Sequence, residues 1–175
     1  MEFLAVFLLI LLFVLFFASF WLKNSLKVLN TAHNPDELVI GNGQKLALII
    51  YQPTKHKSAS GMANVIADCL SEKGYTVKIN YPSNQLDYNL SEYDLLVFGS
   101  GVYFGRVSPV LTEFIMKNSL KNKSVLIYTV GSRTDDLTDL SELKILFDNT
   151  NFVRAIKVAK GQEEKLKKFV CESVD

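Results

Sequence analysis

Glycines bracket an aromatic pair in the run Gly99-Ser100-Gly101-Val102-Tyr103-Phe104-Gly105-Arg106, which directly follows the apolar stretch Leu95-Leu96-Val97-Phe98. Glycine lets a backbone turn sharply and approach a ligand closely. Tyr103 and Phe104 offer a flat face to a planar ring, and Arg106 reads as a solvated surface cation. A second chemical segment is Gln52-Pro53-Thr54-Lys55-His56-Lys57-Ser58-Ala59-Ser60. Its hydroxyls donate hydrogen bonds and its lysines add charge; at a helix N-terminus, where N–H groups are unpaired, such a run suits a phosphate. A third is Val130-Gly131-Ser132-Arg133-Thr134, with Gly131 for backbone approach and Ser132 as a hydroxyl donor. No GxxxxGK[ST] run occurs, which argues against a nucleotide-hydrolysing P-loop. No Ser-His-Asp, Cys-His or paired-carboxylate arrangement stands out, so a hydrolase is not expected and no catalytic or metal-ligating residue is nominated.

The three segments need a frame that brings them together. From Lys45 onward, short apolar runs alternate with helical periods, the pattern of a parallel sheet covered on both faces. Strands are predicted at 46–51, 76–79, 95–98, 124–129 and 152–158. Met62, Val65, Ile66, Cys69 and Leu70 form a helical stripe that stops at Gly74. Ser108 and Pro109 open the next helix as N-cap and first helical residue. Leu137, Leu140, Leu143 and Phe147 mark another helix after the acidic pair Asp135-Asp136, and Leu166, Phe169 and Val170 a terminal one. In an open α/β sheet, ligands bind beyond the carboxyl ends of the strands, at the switch point of the strand order. That rule selects the loops after strands one, three and four, which are the three segments above.

Ahead of this frame, every residue from Phe3 to Leu22 is apolar except Ser19. About 20 helical residues at ~1.5 Å each cross ~30 Å of hydrocarbon. Trp21 ends the run, where an indole favours the lipid–water interface. Only Glu2 precedes it and no small-x-small site follows, so an uncleaved anchor over 1–23 is expected rather than a cleaved signal. Lys23 and Lys27 flank the far side, which places the following domain in the cytoplasm. Residues 24–44 mix Asn, Pro, Asp and Gly and read as a tether of about 20 residues; the domain then occupies 45–175. Cys69 and Cys171 have no CxxC spacing and read as reduced thiols, in keeping with the cytoplasm. The formal charge of +1 gives no pull toward nucleic acid.

The Gly99–Arg106 run and the Ser108-Pro109 helix behind it resemble the flavodoxin family's loop after the third strand, where an aromatic side chain covers the isoalloxazine ring of FMN. The resemblance covers about residues 45–174. It implies a flavodoxin-like, doubly wound, five-stranded parallel sheet of order 2-1-3-4-5, here behind one transmembrane helix. It also implies noncovalent FMN, its phosphate held by Thr54, Lys57, Ser58, Ala59 and Ser60. Its ring would meet Gly101, Val102, Tyr103, Phe104 and Gly105 on one flank and Gly131 and Ser132 on the other. The first loop departs from the family pattern: it is long, its Gly61 comes late, and basic residues intrude. Many flavodoxins are strongly acidic, and this chain is not. A response regulator on the same fold would need acidic residues after strand one, where this chain has none. The implied function is a membrane-tethered carrier passing electrons to or from partner proteins at the membrane. The alternatives are a flavodoxin-type protoporphyrinogen or quinone oxidoreductase, and a degenerate flavodoxin fold serving as a membrane interaction module.

Overall fold

The computed structural model describes residues 2–147 and 150–174. The chain opens with a single helix, α1 (Glu2–Asn30), apolar around its whole circumference over the membrane-length window. A helix without a polar face finds no aqueous surface to lie on. The rest is a six-stranded sheet of order β1-β3-β2-β4-β5-β6 with helices on both faces. Its strands are β1 (Leu38–Ile40), β2 (Lys45–Tyr51), β3 (Tyr75–Asn80), β4 (Leu95–Gly101), β5 (Ser124–Val130) and β6 (Phe152–Val158). The helices that follow α1 are α2 (Ser58–Glu72), α3 (Pro109–Lys117), α4 (Thr138–Lys144) and α5 (Glu163–Val174).

The five strands β2 to β6 are mutually parallel in the expected order. Both faces of the central strands are buried, so Ala47, Leu48, Ile49 and Ile50 of β2 are all sealed from solvent. Burial of each large aliphatic side chain stabilises the fold by roughly 1.5–3 kcal/mol. One core forms between the sheet and α2 with α5, around Met62, Ile66, Leu70, Val77, Val97 and Leu166. The other lies beneath α3 and α4, around Leu96, Phe98, Leu111, Ile127, Leu143 and Phe147.

Three expectations are corrected. First, residues 24–44 are not a slack tether. Helix α1 runs unbroken through Asn30 and ends in a socket on the domain, where Leu29 is 1% exposed. The last carbonyls of a helix lack intrahelical partners, and here side chains supply them. Thr31 Oγ1 donates to Lys27 O at 2.7 Å, Gln52 Nε2 to Val28 O at 3.0 Å, and Ser108 Oγ to Leu29 O at 2.7 Å. Gln52 Nε2 also reaches Thr31 O at 2.9 Å. Second, the sheet has a sixth strand. Leu38–Ile40 pairs antiparallel with β3, covering an edge that would otherwise offer unpaired N–H and C=O groups. Glu37 fastens the approach to it, accepting from Tyr88 Oη at 2.6 Å and pairing with Lys78 at 3.4 Å. Third, Cys69 and Cys171 are joined by a disulfide between α2 and α5, with 6.5 Å between their Cα atoms. The reduced-thiol reading fails because two distant helices pack side by side, and the cysteines no longer argue for a cytoplasmic domain.

Candidate functional site

Loops after β2, β4, β5 and β6 converge beyond the carboxyl ends of the strands on one cavity of about 680 Å³. Its walls include Thr54, His56 and Ser58, then Val102 and Tyr103, then Val130, Gly131 and Ser132, with Ala159 and Lys160 closing the far side. The volume suits a drug-sized or cofactor-sized molecule. Of the sequence-predicted residues, Thr54, Ser58, Val102, Tyr103, Gly131 and Ser132 meet here.

The first wall is the entry to α2. Lys57 N donates to Thr54 O at 3.0 Å, closing a turn, and Lys57 itself takes a left-handed conformation (φ 55°) just before the helix. Thr54 Oγ1 lies 3.0 Å from Ser58 Oγ and accepts from Ala59 N at 3.2 Å. A threonine four residues upstream therefore caps α2, while its hydroxyl and that of Ser58 border the cavity beside the helix N-terminus. Ala59 is fully buried; its carbonyl accepts from Tyr128 Oη at 3.0 Å. Ser60 Oγ donates to Lys57 O at 2.8 Å, satisfying its own turn. Ala59 and Ser60 are thus placed in the helix start, and neither they nor Lys57 line the cavity.

Glycines in the second loop open space for neighbouring protein groups as well as for a ligand. A Cβ on Gly99 would lie 2.1 Å from the Tyr128 ring, and one on Gly101 would lie 2.3 Å from Thr54 Cγ2. Gly101 thereby lets the β4 end and the Thr54 turn come into contact. Beyond it, Tyr103 and Arg106 form a two-residue hairpin, with N···O distances of 3.1 and 3.0 Å. Both turn residues have positive φ, Phe104 at 53° and Gly105 at 72°, the pattern of a type I′ turn. This reversal parts the two aromatics. Tyr103 lines the cavity, its hydroxyl accepting from Lys55 N at 3.3 Å across the gap to the first wall. Phe104 turns outward, 52% exposed, and packs edge-on against Trp21 of α1 with ring centroids 5.5 Å apart.

The third loop separates the main cavity from a smaller one of about 230 Å³. Val102, Gly131 and Ser132 border both; Phe104, Gly105, Arg133, Asp136 and Lys157 complete the second. A Cβ on Gly131 would crowd Val102 Cβ at 3.3 Å and Lys157 Cε at 3.2 Å, so a side chain here would require Val102 or Lys157 to give way slightly. Lys157 was not evident from sequence, because it reads as an alternating strand residue of β6. It is buried, pairs with the buried Asp139 and donates to Asp136 O. Among the described residues, Asp139 Oδ2 has no hydrogen-bond partner. The Asp136 carboxyl is held below the usual carboxylate range, chiefly by hydrogen bonds from Thr138.

One end of the main cavity therefore carries hydroxyls beside a helix N-terminus, the chemistry of an anion site. Its other side carries Tyr103 with the apolar walls Val102, Val130 and Ala159, suited to a flat ring. Residues 48–171 match the model of the flavodoxin domain family. An uncharacterized protein of Methanocaldococcus jannaschii is 35% identical over 85 residues, covering 49% of this chain. The chain spans about half, 53%, of that relative's length. Among solved structures, oxidised flavodoxin 2 of Bacillus cereus superposes with a TM-score of 0.60 at 19% identity, over 74% of this chain and 97% of that one. The flavodoxin of Streptococcus pneumoniae TIGR4 gives 0.58 at 17%, over 74% and 97%. Rubredoxin oxygen:oxidoreductase of Desulfovibrio gigas gives 0.54 at 18%, over 76% of this chain and 36% of that protein.

Proposed function

Since the chain belongs to the flavodoxin domain family, we propose that it is a membrane-tethered flavoprotein that binds FMN and exchanges electrons with partner proteins at the membrane. Membership and the flavodoxin neighbours support a flavin-binding redox role. The observation that carries the finer reading is the single cavity whose anion-binding end and aromatic side come from separate loops. Thr54 and Ser58, with the first turn of α2, would hold the phosphate. Tyr103 would cover the ring, while the Val102 and Gly131 backbones approach its edge. Bound FMN supplies the reversible electron chemistry, and the protein tunes it. Lys157 brings a buried cation beneath the Gly131 loop, and its pairing with Asp139 limits the charge that reaches the cavity.

A carrier role is favoured over an enzyme with its own substrate by the segment between β5 and β6. Leu140, Leu143 and Phe147 of that segment are buried in the core, so it is committed to packing rather than to a substrate cover. The domain is proposed to face the cytoplasm on the strength of Lys23 and Lys27 beside the apolar span. Titration of the purified protein with FMN and with riboflavin tests the site. FMN should bind far more tightly, because the phosphate end supplies much of the affinity. Equal affinities would remove the phosphate role from the Thr54–Ser58 turn, and a failure to bind either flavin would overturn the function.

A further inference from the structure

We propose that the Tyr103–Arg106 hairpin is a second membrane-contacting element. Its Phe104 tip sits in the phospholipid headgroup layer that α1 passes through, so the cofactor cavity opens beside the lipid surface. The inference rests on the reading of α1 as a membrane span, and adds to it where the domain stands. The 20 residues from Phe3 to Leu22 match the ~30 Å hydrocarbon thickness, which puts Trp21 at its edge. Phe104 packs against that same indole at 5.5 Å, with the rings nearly perpendicular at 86°. A ring that touches Trp21 shares its depth to within a side chain's length.

No hinge intervenes to let the domain swing away. Helix α1 continues without a break from Trp21 to Asn30. Its end is held by Gln52 and Ser108, and Leu29 fills the socket. From Trp21 to Leu29 is about 12 Å along a helix rising ~1.5 Å per residue, so the domain surface lies within that distance of the interface. The hairpin's own chemistry agrees. Phe104 occupies a left-handed turn position that favours glycine or asparagine, and half its surface is left to solvent by the protein. An exposed phenyl ring gains little in water, and Phe is among the apolar residues that interfacial elements bury at the headgroup–acyl boundary. Arg106 and Lys23 are both exposed, on the hairpin and on α1 next to the Trp21–Phe104 contact, and their charge complements lipid phosphates.

The chain has a single tryptophan, so one indole can be moved. Full-length protein is reconstituted into vesicles of phosphatidylcholine and phosphatidylglycerol whose acyl chains are brominated near the headgroup. Wild-type Trp21 and a W21F/F104W variant are compared by quenching with bromolipid and with aqueous iodide. Phe104 is exposed, so its replacement leaves the core untouched, and W21F/R106W repeats the measurement from the hairpin's flank. The expected result is that the F104W indole loses most of its emission to bromolipid, as Trp21 does, with little further loss to iodide. Quenching of Trp21 by lipid while the F104W and R106W indoles respond only to iodide would overturn the hairpin contact and leave the span intact. Protein that fails to float with the vesicles would overturn the span and the hairpin contact together.

Discussion

Tyr103 and Phe104 are neighbours in the chain with separate tasks, because a turn with two positive φ values sends consecutive side chains to different surroundings. Tyr103 is bound to the first loop through Lys55 and faces the cavity; Phe104 meets Trp21 outside it. Replacing Tyr103 by alanine should weaken FMN binding by ~1–2 kcal/mol, on the scale of a stacked aromatic pair. It should also raise the potential at which the bound flavin becomes fully reduced, since an aromatic cover disfavours the added electron density. Phe104→Ala should leave both quantities unchanged. Flavin titration with redox potentiometry on the two variants checks this, and the opposite pattern would give the ring-covering role to Phe104. From sequence the pair could not be separated, because the turn type depends on how β4 ends and where the Thr54 turn packs. The same holds for Gly99 and Gly101, which read as ligand approach yet accommodate Tyr128 and Thr54. Lys157 was illegible for another reason: alternation along β6 does not reveal that Asp139 from α4 will sit opposite it.

Elements that pack through the sheet's outer layers were read well as units and poorly as pairs. The stripe Met62–Leu70 identifies α2, and Leu166, Phe169 and Val170 identify α5, yet nothing in either stripe says that the two helices lie side by side. The Cys69–Cys171 bond depends on that adjacency across 102 positions. Replacing both cysteines with serine should lower stability by ~2–4 kcal/mol, the usual range for a native disulfide. Urea unfolding of wild type with and without reductant, beside C69S/C171S, measures it. An unchanged midpoint would show that the two helices are held by packing alone. At the other end, the polar segment after Leu22 hid the continuation of α1, since its stability comes from Gln52, Ser108 and the Leu29 socket rather than from local periodicity. Strand β1 was hidden likewise: three apolar residues among Asn, Pro and Gly carry no period, and only pairing with β3 makes them a strand.

At the scale of the whole molecule, the continuous apolar runs of β2, β4 and β5 made the doubly covered sheet legible, and the flavodoxin resemblance supplied its order. The tyrosines distributed through that body give it a shared response to alkali. Burial, reinforced by nearby acidic groups and by Tyr51–Tyr81 and Tyr88–Glu37 contacts, pushes the phenols of Tyr51, Tyr75, Tyr88, Tyr93 and Tyr128 up from the ordinary value of 10.0. In the unfolded chain these groups lose protons near that value, whereas the native state retains them. The unfolded state then binds fewer protons, so stability falls as pH rises. The contribution is fully present below pH 10.0 and is lost progressively above it. Urea midpoints should be insensitive to these groups at neutral pH and decline above pH 10.0, with phenolate absorbance rising in step with unfolding. Ionisation of these five phenols near the ordinary value in protein that stays folded would contradict the burial.

The bond between Cys69 and Cys171 also changes what a cut in the backbone means. It turns the chain into a lasso whose closed part contains β3 to β6 and the hairpin, while α1, β1, β2 and the Thr54 turn form its tail. A protease that nicks a loop inside the lasso opens the ring without freeing a fragment, so both pieces stay covalently joined to α1. Only a cut in the tail, between Asn30 and Cys69, separates the ring's covalent chain from α1. Wear on the loops inside the ring is therefore decoupled from the domain's covalent attachment to α1.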